Sequence, residues 1–78
     1  MEQDVFEEII NTVIPGAGFT RAGRPQLNDT IWTVPFHHCQ FGLGQVFLPD
    51  REVNSTSDVG VLAKELREQL GWALASSQ

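Results

Sequence analysis

The chain has 78 residues, of which 10 are Asp or Glu and 5 are Lys or Arg, so its formal net charge is −5 with both histidines neutral. This length fits a single small domain spanning residues 1–78. A content of 41% apolar and 19% charged residues is typical of a folded globular protein rather than a disordered chain. The acidic excess argues against general binding to nucleic acid or to anionic membranes, because both depend on clustered Lys and Arg.

The single cysteine, Cys39, cannot form an internal disulfide, and no Cys and His spacing matches a structural zinc site. The start of the chain, residues 1–4, is acidic and lacks the cationic flank and apolar run of a secretory signal. No apolar stretch approaches the ~20 residues that span a bilayer. We therefore expect a cytoplasmic protein without cofactor, metal or membrane association.

A first helix is predicted over residues 3–14. Its apolar residues recur at spacings of one and four, which gathers them onto one stripe at the helical period. They are Val5, Phe6, Ile9, Ile10, Val13 and Ile14. Pro15 and Gly16 should end this helix, because proline restricts the preceding residue and glycine tolerates the left-handed backbone of a helix exit.

Short strands are predicted in the middle of the chain, at about 18–21 and 30–36, with a loop over residues 22–29 between them. The second of these strands is rich in β-branched and aromatic residues. Alternation places Trp32, Val34 and Phe36 on one face of it. Pro35 cannot donate a hydrogen bond to a neighbouring strand, so this strand is expected at a sheet edge, or to bend or stop near its end.

A further strand is predicted over residues 39–48, where side chains again alternate between two faces. One face carries Cys39, Phe41, Leu43 and Phe47, and the other carries Gln40, Gly42, Gly44, Val46 and Leu48. Gln45 interrupts the apolar face. A bulge near Gly42 or Gly44 would reconcile this register with the apolar end of the strand, because glycine accommodates the unusual dihedral angles.

A second helix is predicted over residues 58–75, with Ser57 as its N-terminal cap. Its apolar stripe comprises Val59, Leu62, Ala63, Leu66, Leu70, Ala73 and Leu74. A second ridge lies beside this stripe and consists of Val61, Glu65 and Trp72. Tryptophan is enriched in interface anchors, so Trp72 is a candidate contact residue, although it could instead fold over a sheet edge as part of the core.

These elements predict an α+β two-layer sandwich with the order α-β-β(-β)-α. A small antiparallel sheet would carry the N- and C-terminal helices packed on one face. The other face is then uncovered, and a domain of this size buries only ~60% of its unfolded-chain surface. A second copy, giving a homodimer, or a different protein could cover that face or the edge of the sheet.

The most reactive cluster is His37-His38-Cys39, since imidazole and thiolate bind zinc and copper and a Cys beside a His can act as a nucleophile. On an extended chain only His37 and Cys39 share a side, and a stable site needs further ligands, for which Asp29 and Asp50 are the nearby acids. A small metal- or thiol-dependent enzyme using His37 and Cys39 is therefore an alternative hypothesis.

Two charged clusters offer further contacts. Arg21 and Arg24 could clamp a carboxylate or a phosphate with two guanidinium groups, or remain solvated loop charges. Asp4, Glu7 and Glu8 on the first helix either compensate its dipole or form an electronegative rim that attracts a basic partner.

The leading hypothesis is a noncatalytic, acidic, cytoplasmic protein-binding module that acts as an adaptor, assembly factor or inhibitor by occupying a partner's surface. The candidate partner-binding residues are Trp72, Val61, Glu65, Trp32, Asp4, Glu7 and Glu8, with Trp32 expected on an exposed sheet face. In size and charge the chain is similar to small acidic accessory proteins of bacteria and to phage-encoded inhibitors, including anti-CRISPR proteins. The same features would also fit a structural homo-oligomer subunit or a compact secretion-type chaperone.

Overall fold

The computed structural model describes residues 1–77 and shows a helix, four strands and a second helix. The elements are α1 (Gln3–Val13), β1 (Phe19–Arg21), β2 (Gln26–Asn28), β3 (Ile31–His38), β4 (Gly42–Pro49) and α2 (Thr56–Ser77). The expected α+β class, antiparallel sheet and terminal helices are therefore confirmed. The observed helices differ from the predicted ranges by at most two residues at each end.

Strand β3 is the centre of the sheet, and all its pairings are antiparallel. Along one side it pairs with β4 over its whole length, from Ile31 opposite Pro49 to His38 opposite Gly42. Its other side is shared by two short strands. β1 lies beside the C-terminal half of β3 and β2 beside the N-terminal half.

The expectation that Pro35 marks a strand edge or end is wrong, because β3 continues through this residue with neighbours on both sides. The Ala22 N–H donates to the Pro35 carbonyl oxygen at 3.3 Å, so the backbone of Pro35 faces the side shared by β1 and β2. At this point the chain leaves the sheet between those two strands. The N–H that proline lacks would point into this gap, where neither β1 nor β2 has a residue paired with Pro35.

The loop predicted over residues 22–29 contains an unpredicted strand, β2. It joins β3 through a two-residue turn, since Asn28 lies opposite Ile31. Asp29 in this turn has a φ of +56°, the left-handed conformation that Asp adopts more readily than most residues. A three-residue strand is too short to display an alternating pattern. The sequence therefore indicated only the turn residues of this segment and not the strand.

The bulge expected near Gly42 or Gly44 is absent from the β3–β4 hairpin, whose register is continuous. The two glycines have different structural roles. Gly42 has a φ of +83° where the three-residue turn 39–41 returns to the sheet. At Gly44 an added Cβ would lie 2.6 Å from Cζ of Phe36, so the absence of a side chain there makes room for the Phe36 ring.

Both helices pack on the same face of the sheet and form one hydrophobic core. The two predicted helical stripes point into this core, as does the predicted Trp32, Val34 and Phe36 face of β3. The fully assembled core consists of Phe6, Ile9, Ile10, Ile14, Phe19, Trp32, Val34, Phe36, Val46, Leu48, Leu62, Leu66 and Leu70. Neither helix within residues 1–77 combines the length and apolar character needed to cross a membrane.

The N-terminal cap of α2 is Ser55 rather than the predicted Ser57. The Ser55 hydroxyl oxygen accepts the Asp58 N–H at 3.2 Å, and the Asp58 carboxylate accepts the Asn54 N–H at 2.9 Å. This reciprocal arrangement resembles a capping box and starts the helix two residues earlier than expected. In a run of several polar residues, the sequence alone could not distinguish one cap from its neighbour.

Replacing Gly44 with Ala should destabilise the fold, because the new methyl group would collide with the Phe36 ring inside the core. We expect the free energy of unfolding to fall by ~1–3 kcal/mol, as is common for overpacked cores. Urea titrations followed by circular dichroism would measure it.

The matched control is Gly60→Ala, because Gly60 lies in α2 and nothing apart from its chain neighbours and its own helix backbone lies within 4 Å of the position of an added Cβ. This variant should be as stable as the wild type or up to ~1 kcal/mol more stable, since Ala favours the helix over Gly. Equal unfolding free energies for the two variants would contradict the packing described for Gly44.

Candidate functional site

Trp32 is a core residue, and its expected position on an exposed sheet face is wrong. Only 3% of the residue is exposed, and its ring centroid lies 4.6 Å from that of Phe6 on α1. The indole Nε1–H donates a hydrogen bond to Oδ1 of Asp50 at 2.8 Å. Because Trp32 faces the two helices, it is not accessible to a docking protein.

The Asp50 carboxylate connects three parts of the chain. Oδ1 of Asp50 accepts a hydrogen bond from the N-terminal ammonium of Met1 at 3.3 Å as well as the one from the Trp32 indole. The backbone N–H of Asp50 donates to the Thr30 carbonyl oxygen at 2.7 Å. The Trp32 hydrogen bond, helped by the ammonium group, holds the pKa of Asp50 below its ordinary value. Asp50 therefore ties the start of the chain and the connection after β4 to the centre of the sheet.

Of the three acidic residues predicted to form a rim on α1, Glu7 is engaged within the chain. Its Oε1 accepts from Nη2 of Arg21 at 2.8 Å, and its Oε2 accepts from Nη2 of Arg24 at 3.4 Å. The hydrogen bond from Arg21, above all, lowers the pKa of Glu7. The two arginines thus do clamp a carboxylate, but it belongs to the same chain. Asp4 and Glu8 remain exposed.

The His37-His38-Cys39 segment is divided between the two faces of the sheet and the turn. His38 is 4% exposed, and its ring nitrogens both have partners, with Nδ1 accepting the Gln40 N–H at 3.1 Å and Nε2 lying 3.0 Å from the Ala17 carbonyl oxygen. This geometry assigns the proton to Nε2. His37 and Cys39 are exposed. Within residues 1–77 no three His, Cys, Asp or Glu side chains are grouped to hold a metal ion.

An uncharged surface covers the side of the β3–β4 hairpin that the helices leave open, and we call it the outer face. It is formed by the odd-numbered residues of the two strands, whose side chains point away from the core. They are Ile31, Thr33, Pro35, His37, Leu43, Gln45, Phe47 and Pro49. The exposed fractions of Leu43, Phe47 and Ile31 are 79%, 51% and 39%. The outer face therefore carries the main exposed apolar surface of the hairpin.

The absence of charge extends through the whole hairpin. None of the 5 Lys and Arg and none of the 10 Asp and Glu residues lies between Thr30 and Pro49. A strand with one solvated face normally alternates apolar and polar residues. This charge-free run can be seen in the sequence, and it is the signal from which the outer face could have been predicted.

The predicted second ridge of α2 lies outside the core, and we call it the α2 flank: Val61, Glu65 and Trp72. Trp72 is 61% exposed and Val61 is 48% exposed. Glu65 is half-buried and accepts a hydrogen bond from Nη2 of Arg51 at 2.6 Å. Trp72 and Glu65 border a shallow depression together with the last two residues of β4. The α2 flank therefore lies beside the end of β4.

The free edge of β4 separates the outer face from the α2 flank. Within residues 1–77 β4 pairs with β3 alone. The hydrogen bond from the Asp50 N–H to the Thr30 carbonyl fixes the alternation of the ladder, so the even-numbered residues of β4 bond to β3. The backbone N–H and C=O groups of Leu43, Gln45 and Phe47 consequently point to the open edge. They form a ready template for another strand.

Comparison of the chain with protein-family models, with curated proteins and with solved structures finds no match in any of the three. The candidate site is therefore defined by geometry alone. It consists of the outer face, the free edge of β4 and the α2 flank, which adjoin one another along a single strand. Val61 and Trp72 lie outside the core, as the sequence predicted, whereas Trp32 was misplaced. An open sheet edge was also expected, but the sequence did not indicate that β4 carries it.

Acidification should test the role assigned to Asp50. A carboxyl group with a lowered pKa in the folded chain contributes stability above its unfolded pKa, and this contribution is lost as the pH falls through the folded pKa. We therefore expect Asp50→Asn to be less stable than the wild type at neutral pH and to lose less stability below pH 3.8, the ordinary value for Asp. Urea unfolding at several pH values, followed by Trp32 fluorescence in a Trp72→Phe background, measures this.

Asp4→Asn is the matched control, because Asp4 is exposed on α1. It should retain the wild-type dependence of unfolding free energy on pH. If Asp50→Asn also retained that dependence, the carboxylate would not have the stabilising contacts described here.

Proposed function

We propose that the chain is a noncatalytic protein-binding module that docks onto a partner protein through its outer face. The observation that supports this is an exposed, apolar and charge-free surface on a chain whose net charge is −5. Contiguous apolar surface of this kind on a small protein is associated with interaction sites. Interface centres are also depleted of charged residues, as this surface is.

The outer face would bind by steric occupancy of the partner. Leu43 and Phe47 project from the same side of β4, with Gln45 between them, and are the most exposed apolar side chains of the hairpin. They are carried by a strand that is fully paired to β3, so little backbone ordering is needed on binding. Gln45 and the neighbouring Thr33 would require hydrogen-bond partners when covered, which gives the contact specificity.

The net charge favours a partner with basic residues around an apolar patch. Like the exposed Asp4 and Glu8, all 10 acidic residues of the chain lie outside the hairpin, so they would attract such a partner without lying at the centre of the contact. Attraction of this kind accelerates encounter and weakens as salt is added. The module would act in the cytoplasm, where the exposed Cys39 thiol would stay reduced.

A charge placed on the outer face should weaken partner binding. We expect Phe47→Asp and Leu43→Asp to weaken binding at least roughly tenfold, which corresponds to about 1.4 kcal/mol. The tagged chain would capture its partner from an extract of its own cells. The captured protein would then be purified, and its affinity for each variant measured by isothermal titration calorimetry.

The matched control is Leu27→Asp. Leu27 is 42% exposed and lies on β2, but it is paired with Trp32 and therefore points to the helix side of the sheet. This variant should bind the captured protein with wild-type affinity, and circular dichroism would confirm that all variants are folded. If Phe47→Asp and Leu43→Asp bound the same protein as tightly as Leu27→Asp does, the outer face would not be the docking surface.

A further inference from the structure

We propose that the free edge of β4 pairs with the same edge of a second copy of the chain, forming a two-fold symmetric dimer with one continuous antiparallel sheet. This inference goes beyond the proposed function and does not depend on it. The edge spans Gly42–Pro49 and carries no charged side chain. Proteins usually protect edge strands of this length with charges, bulges or a covering segment, and here only the terminal Pro49 interrupts donation.

The backbone pattern selects one register for this pairing. A two-fold axis at Gln45 sets Gln45 opposite its own counterpart and Leu43 opposite Phe47 of the second copy. Each of the three residue pairs so formed joins groups that face the open edge, and each can exchange two N–H to C=O hydrogen bonds. Registers displaced toward either end bring in Pro49, which has no N–H, or the turn at 39–41, and so lose bonds.

The side chains are self-complementary in this register. Leu43 is 79% exposed and Phe47 is 51% exposed, and both project from the outer face. The two-fold axis places Leu43 of each copy beside Phe47 of the other copy, so the dimer contains this side-chain pair twice. Directly opposed aromatic and aliphatic side chains stabilise antiparallel strands. Dimerisation would thus shield part of Leu43 while joining the two outer faces into one surface.

Charge also favours the β4 edge over the rest of the surface for contact between identical copies. Two chains of net charge −5 repel each other, so their contact is least costly where no carboxylates lie. Because α2 packs on β4, extension of the sheet brings the two α2 flanks together on the helix side. In the α2 flank the charge of Glu65 is paired with Arg51, and Trp72 and Val61 are exposed. These two apolar side chains could therefore pack between the two copies.

The effect of salt distinguishes a second copy at the β4 edge from a segment of another protein bound there. The exposed carboxylate of Glu68 borders the same depression as Trp72, so it lies near its counterpart in the dimer. Added salt should screen this repulsion and that of the net charges, and so strengthen the dimer. An extended basic segment of another protein, pairing with the same edge, would instead bind more weakly as salt is added.

Sedimentation equilibrium of the purified full chain tests the proposal. We expect the wild type to show a monomer–dimer equilibrium in the micromolar range that shifts toward dimer as NaCl is raised. Gln45→Lys should weaken dimerisation at least roughly tenfold, because it places two ammonium groups against each other at the two-fold axis. Gln26→Lys is the matched control, since Gln26 is exposed on β2, on the side of the sheet shared with Thr33 and the outer face, and away from the β4 edge.

A second variant, Gln45→Pro, addresses the backbone directly. The Gln45 N–H points to the open edge, so proline removes a donor from the proposed dimer without removing one from the β3–β4 ladder. Like Gln45→Lys, it should weaken dimerisation, and it should keep the wild-type circular dichroism spectrum. A wild type that stays monomeric into the high micromolar range would overturn the proposal, as would a dimer that both Gln45 variants leave as strong as Gln26→Lys does.

Discussion

The structure depends on a sheet that is covered by helices on one face only. Trp32 lies on the covered face of the central strand β3, where it contacts Phe6 of α1 and donates to Asp50 beyond β4. These contacts fix which side of β3 points inward. Once that side is fixed, the strict alternation of side chains directs every odd-numbered residue of β3 and β4 outward. The outer face is therefore a direct consequence of how the core is assembled.

The chain separates its charges from its open apolar surface. Two carboxylates that would add to the acidic surface are held by arginines, Glu7 by Arg21 and Glu65 by Arg51. Both pairs lie on the side of the sheet that carries the helices. The hairpin between Thr30 and Pro49 carries no charge at all. An acidic chain can in this way present one surface on which electrostatic repulsion between close neighbours is small.

Periodicity predicted what is local in this fold, and it failed where the outcome depends on neighbours. The helical stripes and the alternation of β3 followed from spacing, because each pattern is a property of one segment. Alternation grouped Trp32 with Val34 and Phe36, but β4 has apolar residues on both faces, so the pattern did not say which face the helices would cover. The cost of Pro35 likewise depends on whether a strand lies beside its nitrogen, and the partner of Arg21 depends on where α1 packs.

The composition of the hairpin also favours an assembled state. A strand that is solvated on one face normally shows charged or strongly polar residues there, whereas strands covered on both faces read as apolar runs. The outer face of β3 and β4 is closer to the second kind, since it carries no Asp, Glu, Lys or Arg and its polar side chains are Thr33, His37 and Gln45, yet within residues 1–77 no helix or strand covers it. The hairpin thus has the sequence of a buried element and the surroundings of an exposed one. A partner on the outer face, a second copy along the β4 edge, or both together would remove this mismatch without any change in the fold.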